Sequence, residues 1–225
     1  MKSSNQITAP VSFSGKWILS IALLLVSVLS SAQTNWLWKC GSSGNDEALA
    51  NTTDASGNIY TTGYFSLFAR FDATLLASSG GGDVFVVKQN VAGNIMWAVK
   101  AGGSSSDRGT SIATDAAGNI YVCGYFSGTA MFGSTQLVSV NNTEDIFVAK
   151  LDPAGNFLWA ERFGGDNIEL ALALTIDHAN NVLITGQFKD TVTFGSTTLY
   201  STINPLNALP SYDIFLLKLD FQEQA

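Results

Sequence analysis

The sequence predicts an all-β fold in which one four-stranded antiparallel unit occurs three times. Marked residues recur at nearly constant steps, with Trp38, Trp97 and Trp159 separated by 59 and 62 positions. Runs of β-branched and aromatic residues alternate with turns rich in Gly, Asn and Asp, and only 13% of the residues are charged. Such runs and turns are typical of short strands joined by tight connections.

The repeat is supported by further residues that keep the same phase. The copies run over about 38–96, 97–158 and 159–220. The step from Asp83 to Asp145 is 62 positions, and the step from Asp145 to Asp213 is 68 because NPLNALPSY is inserted before Asp213. The in-phase turn aspartates and strand glycines are Asp54, Asp115, Asp177, Gly63, Gly124 and Gly186. Self-similarity at this period is the signature of a repeat architecture.

Each copy contains four strand candidates, named a, b, c and d from the axis outward. In the second copy, strand a is TSIATD, strand b is NIYVCGYF, strand c is DIFVAKLD and the tryptophan-containing strand d is NIMWAVKAG. Turns such as DAAGN join a to b, turns such as DPAGN join c to d, and a longer run with an FGSTQL hairpin joins b to c. Such a unit buries both faces only by stacking on identical units around an axis, which predicts β-propeller blades rather than a solenoid or a sandwich.

The repeat motif also resembles a known family. D-x-x-G-N-x-Y and G-x-F, then D-[IV]-F-x-x-K-x-D and G-N-x-x-W, are similar to the SBBP β-propeller repeat and, more distantly, to NHL-type blades. The resemblance covers about 33–220, although the third copy has DHANN and Leu183 in place of the usual turn and tyrosine. It implies a propeller of exported or surface bacterial proteins with no agreed catalytic activity.

Residues 1–32 have the pattern of a secretory signal peptide. Lys2 and Lys16 are the only charged residues, 17–29 is an apolar run of 13 residues, and Ser30, Ser31 and Ala32 end it. A basic start, a short apolar middle and small residues at the end predict export with cleavage after Ala32. A 13-residue helix is too short to cross a bilayer, so no membrane insertion is expected. The domain then covers 33–225.

Charge excludes two classes of partner. Without Lys2 and Lys16, nine basic residues remain against 18 acidic ones, a net charge of −9. Nucleic acids and anionic lipid surfaces require clustered Lys and Arg, so neither is expected as a partner. We therefore expect a protein or glycan partner.

The sequence shows no catalytic or metal-binding constellation. The single histidine, His178, lies in the turn DHANN, which predicts a solvated turn residue. Cys40 aligns with Val99 and Glu161 and Cys123 with Thr62 and Thr185, so two unpaired strand residues are favoured over a disulfide. These residues supply neither a zinc site nor a Cys–His nucleophile pair.

Repeated acids are the candidate ligand-binding or ion-binding residues. One set lies in the d–a loops and a second at the start of strand c, at the same end of the blades, whereas the turn aspartates lie at the opposite end. The two sets are Asp46, Asp107 and Glu169, and Asp83, Asp145 and Asp213. Backbone N–H groups of their own loops are the favoured partners, and calcium is the weaker alternative. No other cofactor is expected, and the repeated Trp and Phe residues are interpreted as packing residues before sugar-stacking ones.

These features predict a non-catalytic extracellular binding, adhesion or scaffold module. Loops at the channel mouth would hold a glycan, a peptide or a surface protein. The alternative is a propeller-type hydrolase or lyase that uses channel carboxylates. Even repetition of the acids favours the first interpretation, because an active site breaks the symmetry of a repeat.

A homo-oligomer is a further expectation. The segment 34–41, TNWLWKCG, resembles a d strand with no a, b or c strand before it, and the sequence ends with LLKLDFQEQA, just after a c strand. Three blades are fewer than the four to eight that usually surround one channel. The segment 34–41 is therefore predicted to serve as a spare outer strand that completes the third blade of a neighbouring chain, most simply in a six-bladed dimer. The alternative is a fragment of a longer propeller or an open arc of three blades.

Export can be tested directly. Protein recovered from its native host should begin near Gln33 and be found outside the cytoplasm, because the basic, apolar and small-residue parts are in the order that signal peptidase requires. Intact-mass measurement and cell fractionation check both points. Retention of Met1 together with cytoplasmic fractionation would contradict the prediction.

Overall fold

The computed structural model describes residues 37, 39–41 and 43–220. The predicted signal peptide and Trp38 lie outside them. The strands are β1 (Glu47–Thr53), β2 (Ile59–Phe65), β3 (Phe68–Phe71), β4 (Thr74–Ala77), β5 (Asp83–Gln89), β6 (Ile95–Gly103), β7 (Arg108–Thr114), β8 (Ile120–Phe126), β9 (Thr129–Phe132), β10 (Thr135–Val138), β11 (Asp145–Leu151), β12 (Phe157–Gly165), β13 (Glu169–Ile176), β14 (Val182–Lys189), β15 (Thr191–Phe194), β16 (Thr197–Tyr200) and β17 (Tyr212–Leu219). A 3₁₀ turn at Val140–Asn142 precedes β11.

The strands form three antiparallel meanders, which confirms the predicted all-β blades. Blade 1 consists of β1, β2, β5 and β6, and blade 2 of β7, β8, β11 and β12, in the order a, b, c, d. Blade 3 contains β13, β14 and β17, which are its a, b and c strands. The strand limits agree with the predicted ones to within about a residue or two.

A hairpin in each b–c connection adds a link that the sequence did not predict. In blade 2, β9 of the hairpin β9–β10 pairs with the end of β6 in blade 1, where Gly102 faces Met131 and Gly103 faces Ala130. In blade 3, β15 pairs with β12 of blade 2 in the same way. The outer strand of one blade is therefore hydrogen-bonded to the hairpin of the next.

The apolar core lies between blades. We call the side of a blade that is turned to the preceding repeat its front face, and the opposite side its rear face. Val84 and Val86 on the rear face of blade 1 share one cluster with Ile120 and Phe147 on the front face of blade 2. Strand side chains alternate between faces, so each c strand contributes to two cores.

Phenylalanine pairs recur on the front faces. In each blade a hairpin phenylalanine packs on the c-strand phenylalanine, with ring centroids 4.6 to 5.2 Å apart. The pairs are Phe71–Phe85, Phe132–Phe147 and Phe194–Phe215. This confirms that the repeated c-strand phenylalanines are packing residues.

The described repeat tryptophans also pack within their blades. Trp97 lies 6.1 Å from the ring of Tyr60, and its indole N–H donates to the carbonyl oxygen of Pro153 at 3.2 Å. Trp159 lies 6.1 Å from Tyr121. Both indoles therefore contact the b-strand tyrosine of their own blade.

Residues at the end of the predicted strand 34–41 align with the second copy at a spacing other than the predicted 59 residues. Gly41 and Gly102 both have positive φ, +121° and +144°, and each packs against the acid five positions later. Cys40 packs on the front face of blade 1, as Ala101 packs on that of blade 2. The step between equivalent residues is thus 61 rather than 59, and the described residues 37 and 39–41 form no strand.

This step corrects one alignment. Cys40 is equivalent to Ala101, not to Val99. By the same step, Trp36 and not Trp38 is in phase with Trp97. Trp36 and Trp38 are only two positions apart, so steps of 59 and 61 residues both align a tryptophan with Trp97. Trp36 and Trp38 lie outside the described residues.

The repeated b-strand glycine has a steric cause. A β-carbon on Gly124 would overlap the carbonyl oxygen of Arg108 on the neighbouring a strand, and Gly63 and Gly186 meet the same obstacle at Glu47 and Leu170. Each a strand carries a bulge opposite this glycine. The inner two strands therefore approach more closely than any side chain allows.

Gly124→Ala should destabilise the protein by about 3 kcal/mol or more, because an overlap with backbone is not relieved by a rotamer change. Chemical denaturation measures the effect. Gly195→Ala is the control: Gly195 has φ +57° but no atom near its β-carbon, so only a backbone cost of about 1 kcal/mol is expected. Equal losses in both variants would contradict the steric explanation.

Candidate functional site

The b–c and d–a loops meet at one end of the blades, and we call this the loop end. Antiparallel order places the ends of b and d and the starts of c and a there. Four of the predicted site acids lie at this end with no exposed surface: Asp83, Asp107, Asp145 and Glu169. They are therefore enclosed between neighbouring blades.

The first acid pair joins blades 1 and 2. Asp83 accepts a hydrogen bond from Lys100 Nζ at 2.9 Å and from the Ser79 N–H at 3.0 Å. Asp107 accepts from the Gly103 N–H at 2.7 Å. Both carboxyl groups pack on Gly102, where a β-carbon would lie 2.7 Å from Asp107 Oδ2 and 2.9 Å from Asp83 Cγ.

The second pair repeats this arrangement between blades 2 and 3. Asp145 accepts from Arg162 Nη1 at 2.6 Å and from the Val140 N–H at 3.1 Å. Glu169 accepts from the Gly165 N–H at 2.8 Å. Each pair thus has two acids and one d-strand cation, so one negative charge is left without a compensating partner.

Burial, and to a lesser extent the neighbouring acid, changes the acidity of the second acid in each pair. Burial, with a contribution from Asp83, raises the pKa of Asp107 from 3.8 to about 7. Burial, with a contribution from Asp145, raises the pKa of Glu169 from 4.5 to about 7. Among the described residues, one carboxyl oxygen of each of Asp107, Asp145 and Glu169 is buried without a hydrogen-bond partner.

The positive partner in both pairs is a protein side chain. Lys100 and Arg162 contact the c-strand acids where the sequence suggested calcium as a weaker alternative. No cluster of three or more acidic, His or Cys side chains suited to a metal occurs among the described residues.

Asp46 and Asp213 differ from the other four acids. Asp46 Oδ1 accepts from the Ser66 N–H at 3.2 Å. Asp213 accepts from the N–H and the hydroxyl of Thr202, at 3.0 and 2.9 Å, and from Ser211. Both carboxylates are partly exposed and bind groups of the b–c connection.

The turn aspartates lie at the opposite end, as predicted. Asp177 Oδ1 accepts from the Ala179 and Asn181 N–H groups, and Oδ2 accepts from the Asn181 side chain at 2.8 Å. The Asn181 side chain lowers the pKa of Asp177 to about 2. Asp54 and Asp115 make the same bonds in their turns. His178 is exposed in its turn, and the structure has Cys40 and Cys123 as free thiols.

A polar cleft at the loop end contains residues that the sequence analysis missed. It lies between blades 1 and 2, has a volume of about 160 Å³, and is lined by Asn45, Tyr64, Ser66, Gly81, Gly82, Ser106, Asp107 and Arg108. The Arg108 guanidinium lies over the Tyr64 ring, 4.3 Å from its centroid. Both side chains are partly exposed.

A sequence signal for this cleft did exist. Arg108 occupies a repeat position that holds Glu47 in the first copy and Leu170 in the third. Residues that are the same in all three copies serve the packing of the blades. A binding site on a repeat protein is found where equivalent positions carry different residues. Arg108 is such a position.

The inserted loop of the third repeat is also at the loop end. Between the bridge partners Ile203 and Pro210, its apolar side chains extend outward. Exposures are 55% for Ile203, 94% for Leu206 and 57% for Leu209. Such exposed apolar residues mark contact surfaces for other macromolecules.

Comparisons with known proteins agree with this architecture. The family model of the SBBP beta-propeller repeat matches residues 97–125, so the repeat recognised in the sequence is confirmed in the second copy. The chain thus carries a propeller repeat of this family. A WD repeat-containing protein of Acanthamoeba polyphaga mimivirus is 32% identical over 151 residues, 60% of this chain but only 11% of that relative. Within the described part of the chain, no helix is long and apolar enough to span a membrane.

The buried acid pairs predict a pH-dependent stability. The pKa of Asp107 in the folded protein, about 7, exceeds its ordinary 3.8. The contribution of Asp107 to the free energy of unfolding is therefore complete below pH 3.8 and is lost as the pH rises to about 7. Glu169 acts in the same direction. Asp107→Asn should match the unaltered protein near pH 4 and exceed its unfolding free energy by about 2 kcal/mol near pH 8. Urea unfolding at several pH values measures this.

Asp152→Asn is the matched control. Asp152 accepts N–H bonds from Ala154 and Asn156, and Asn90 makes the same bonds in the first copy. Asn156 Nδ2 also donates to Asp152 Oδ2 at 2.8 Å, and this bond lowers the pKa of Asp152. Any change in the unfolding free energy of Asp152→Asn should therefore be the same near pH 5 and near pH 8. A loss of stability in Asp107→Asn near pH 8 would contradict the buried-charge explanation.

Proposed function

We propose that this protein is an exported, non-catalytic binding module whose loop end holds a segment of a partner surface protein. The observation that carries the proposal is the cleft in which Arg108 lies over Tyr64. A guanidinium that lies over an aromatic ring can still donate its N–H groups to a carboxylate. The preferred ligand is therefore a peptide segment with an Asp or Glu side chain.

The size of the cleft supports a peptide segment. Pockets for whole small molecules usually have about 300–1,000 Å³, whereas this cleft has about 160 Å³. It accommodates one pendant group of a larger partner. The exposed Leu206 and Leu209 at the same end supply apolar contact for the remainder.

Enclosure of the acids argues against the hydrolase or lyase alternative. A pKa of about 7 suits a general acid, and Asp107 and Glu169 have it. However, neither side chain has exposed surface, although Asp107 borders the Arg108 cleft, and a general acid must reach the proton acceptor on its substrate. Their contacts with neighbouring backbone suit a role in joining blades.

Arg108→Ala should weaken binding to acidic peptides at least tenfold, because a hydrogen bond to a charged group contributes about 1.5–3 kcal/mol. Peptides selected from a display library would be measured by fluorescence anisotropy against the unaltered protein. Arg70→Ala, which removes an exposed arginine on β3, is the control and should bind normally. Leu206→Ser tests the apolar loop separately.

Three outcomes would overturn the proposal. Equal peptide affinity of Arg108→Ala and Arg70→Ala would exclude the cleft. Binding confined to a glycan array would replace the peptide by a sugar. Turnover of glycans or esters that is lost in Asp107→Asn would make the protein an enzyme.

A further inference from the structure

The rear face of blade 3 exposes a surface that the other blades bury. Ile214 and Leu216 on β17 are 87% and 79% exposed. Their equivalents on β11, Ile146 and Val148, have no exposed surface and belong to the cluster that blade 3 covers. The uncovered face is therefore built for contact with the front face of another blade.

The outer edge of blade 3 is free as well. Strand β5 pairs with β2 and β6, and β11 pairs with β8 and β12. Among the described strands, β17 pairs only with β14. Its second row of N–H and C=O groups is a template for one more antiparallel strand.

Charge identifies what that strand should carry. The aspartate that begins strand c meets a d-strand cation in blades 1 and 2, at 2.9 Å for Asp83–Lys100 and 2.6 Å for Asp145–Arg162. The equivalent acid in blade 3 is Asp213. Its described partners are Thr202 and Ser211, and no ion pair within the described part of the chain includes it. The missing strand should place a Lys or Arg beside Asp213.

One segment of the chain has this pattern. Lys39 precedes Gly41 by two positions, as Lys100 precedes Gly102. Lys39 is exposed. Cys40 lies on the front face of blade 1, where the outer strand of a preceding blade would end. The segment 34–41 therefore suits the outer strand of a blade that stacks on blade 1.

We infer that residues 34–41 of a second copy pair along the free edge of β17 and place Lys39 beside Asp213. The front face of blade 1 in that copy then covers Ile214 and Leu216, and the copies associate head to tail. A head-to-tail contact needs at least two copies to close, and two copies contribute six of the described blades, within the usual four to eight. The contact is therefore expected to close as a dimer. It does not depend on the ligand at the Arg108 cleft.

Light scattering coupled to size-exclusion chromatography tests the dimer with the full-length protein as its host processes it. The unaltered protein should have twice the mass of one chain. Lys39→Glu and Asp213→Lys should each weaken the dimer at least tenfold, and the double variant should restore it. Glu161→Lys, at an exposed position on β12, makes the same charge change as Asp213→Lys and should remain dimeric.

A monomer or a mass other than two chains for the unaltered protein would overturn the inference. Unchanged masses for both single variants, or failure of the double variant to restore the dimer, would do the same. Thermal unfolding of each variant shows whether it is folded. Because ligand binding is not a readout here, failure of this inference leaves the proposed function untouched.

Discussion

Every blade is apolar on both faces, and this constraint governs the rest of the structure. A c strand such as β11 sends Ile146 and Val148 into one core and Phe147 into the other. At roughly 25 cal/mol per Å² of buried apolar area, neither core forms unless the neighbouring blade is present. The stability of one repeat is therefore inseparable from its neighbours, as expected for stacked repeats.

Polar groups fix how the blades meet at the loop end. An apolar face alone permits sliding, whereas a directional hydrogen bond between blades, such as that from the Glu169 N–H to the Glu144 carbonyl oxygen at 2.8 Å, is favourable only in one geometry. The second acid of each pair, Asp107 or Glu169, accepts from the N–H group of a glycine at the end of the preceding d strand. Burying it beside an acid that a cation already neutralises raises its pKa. The blade junction thus combines specificity with a sensitivity to pH.

Much of the fold could be predicted because each strand occurs in three copies, and a strand that is ambiguous in one copy is clear in another. The strands, their order and the packing roles of Phe147 and Trp97 followed from phase and alternation. The hairpin link between β6 and β9 could not, because its partners are about thirty positions apart and carry no pairing signal beyond Gly102 and Gly103. The register of 34–41 failed for a local reason, since two tryptophans two positions apart fit almost equally well.

The candidate site was harder to predict because the residues that recur in all three copies are not the residues that form the site. Positions that recur in all three copies, such as Gly124, are fixed by the contact every blade must make. A binding site needs a feature that the neighbouring blades lack, and Arg108 replaces a glutamate and a leucine at equivalent positions. In the fold it comes to lie over Tyr64, a residue of the preceding blade. Arg108 could be flagged as an irregular position from the sequence, but only the stacking of two blades turns that irregularity into a cleft.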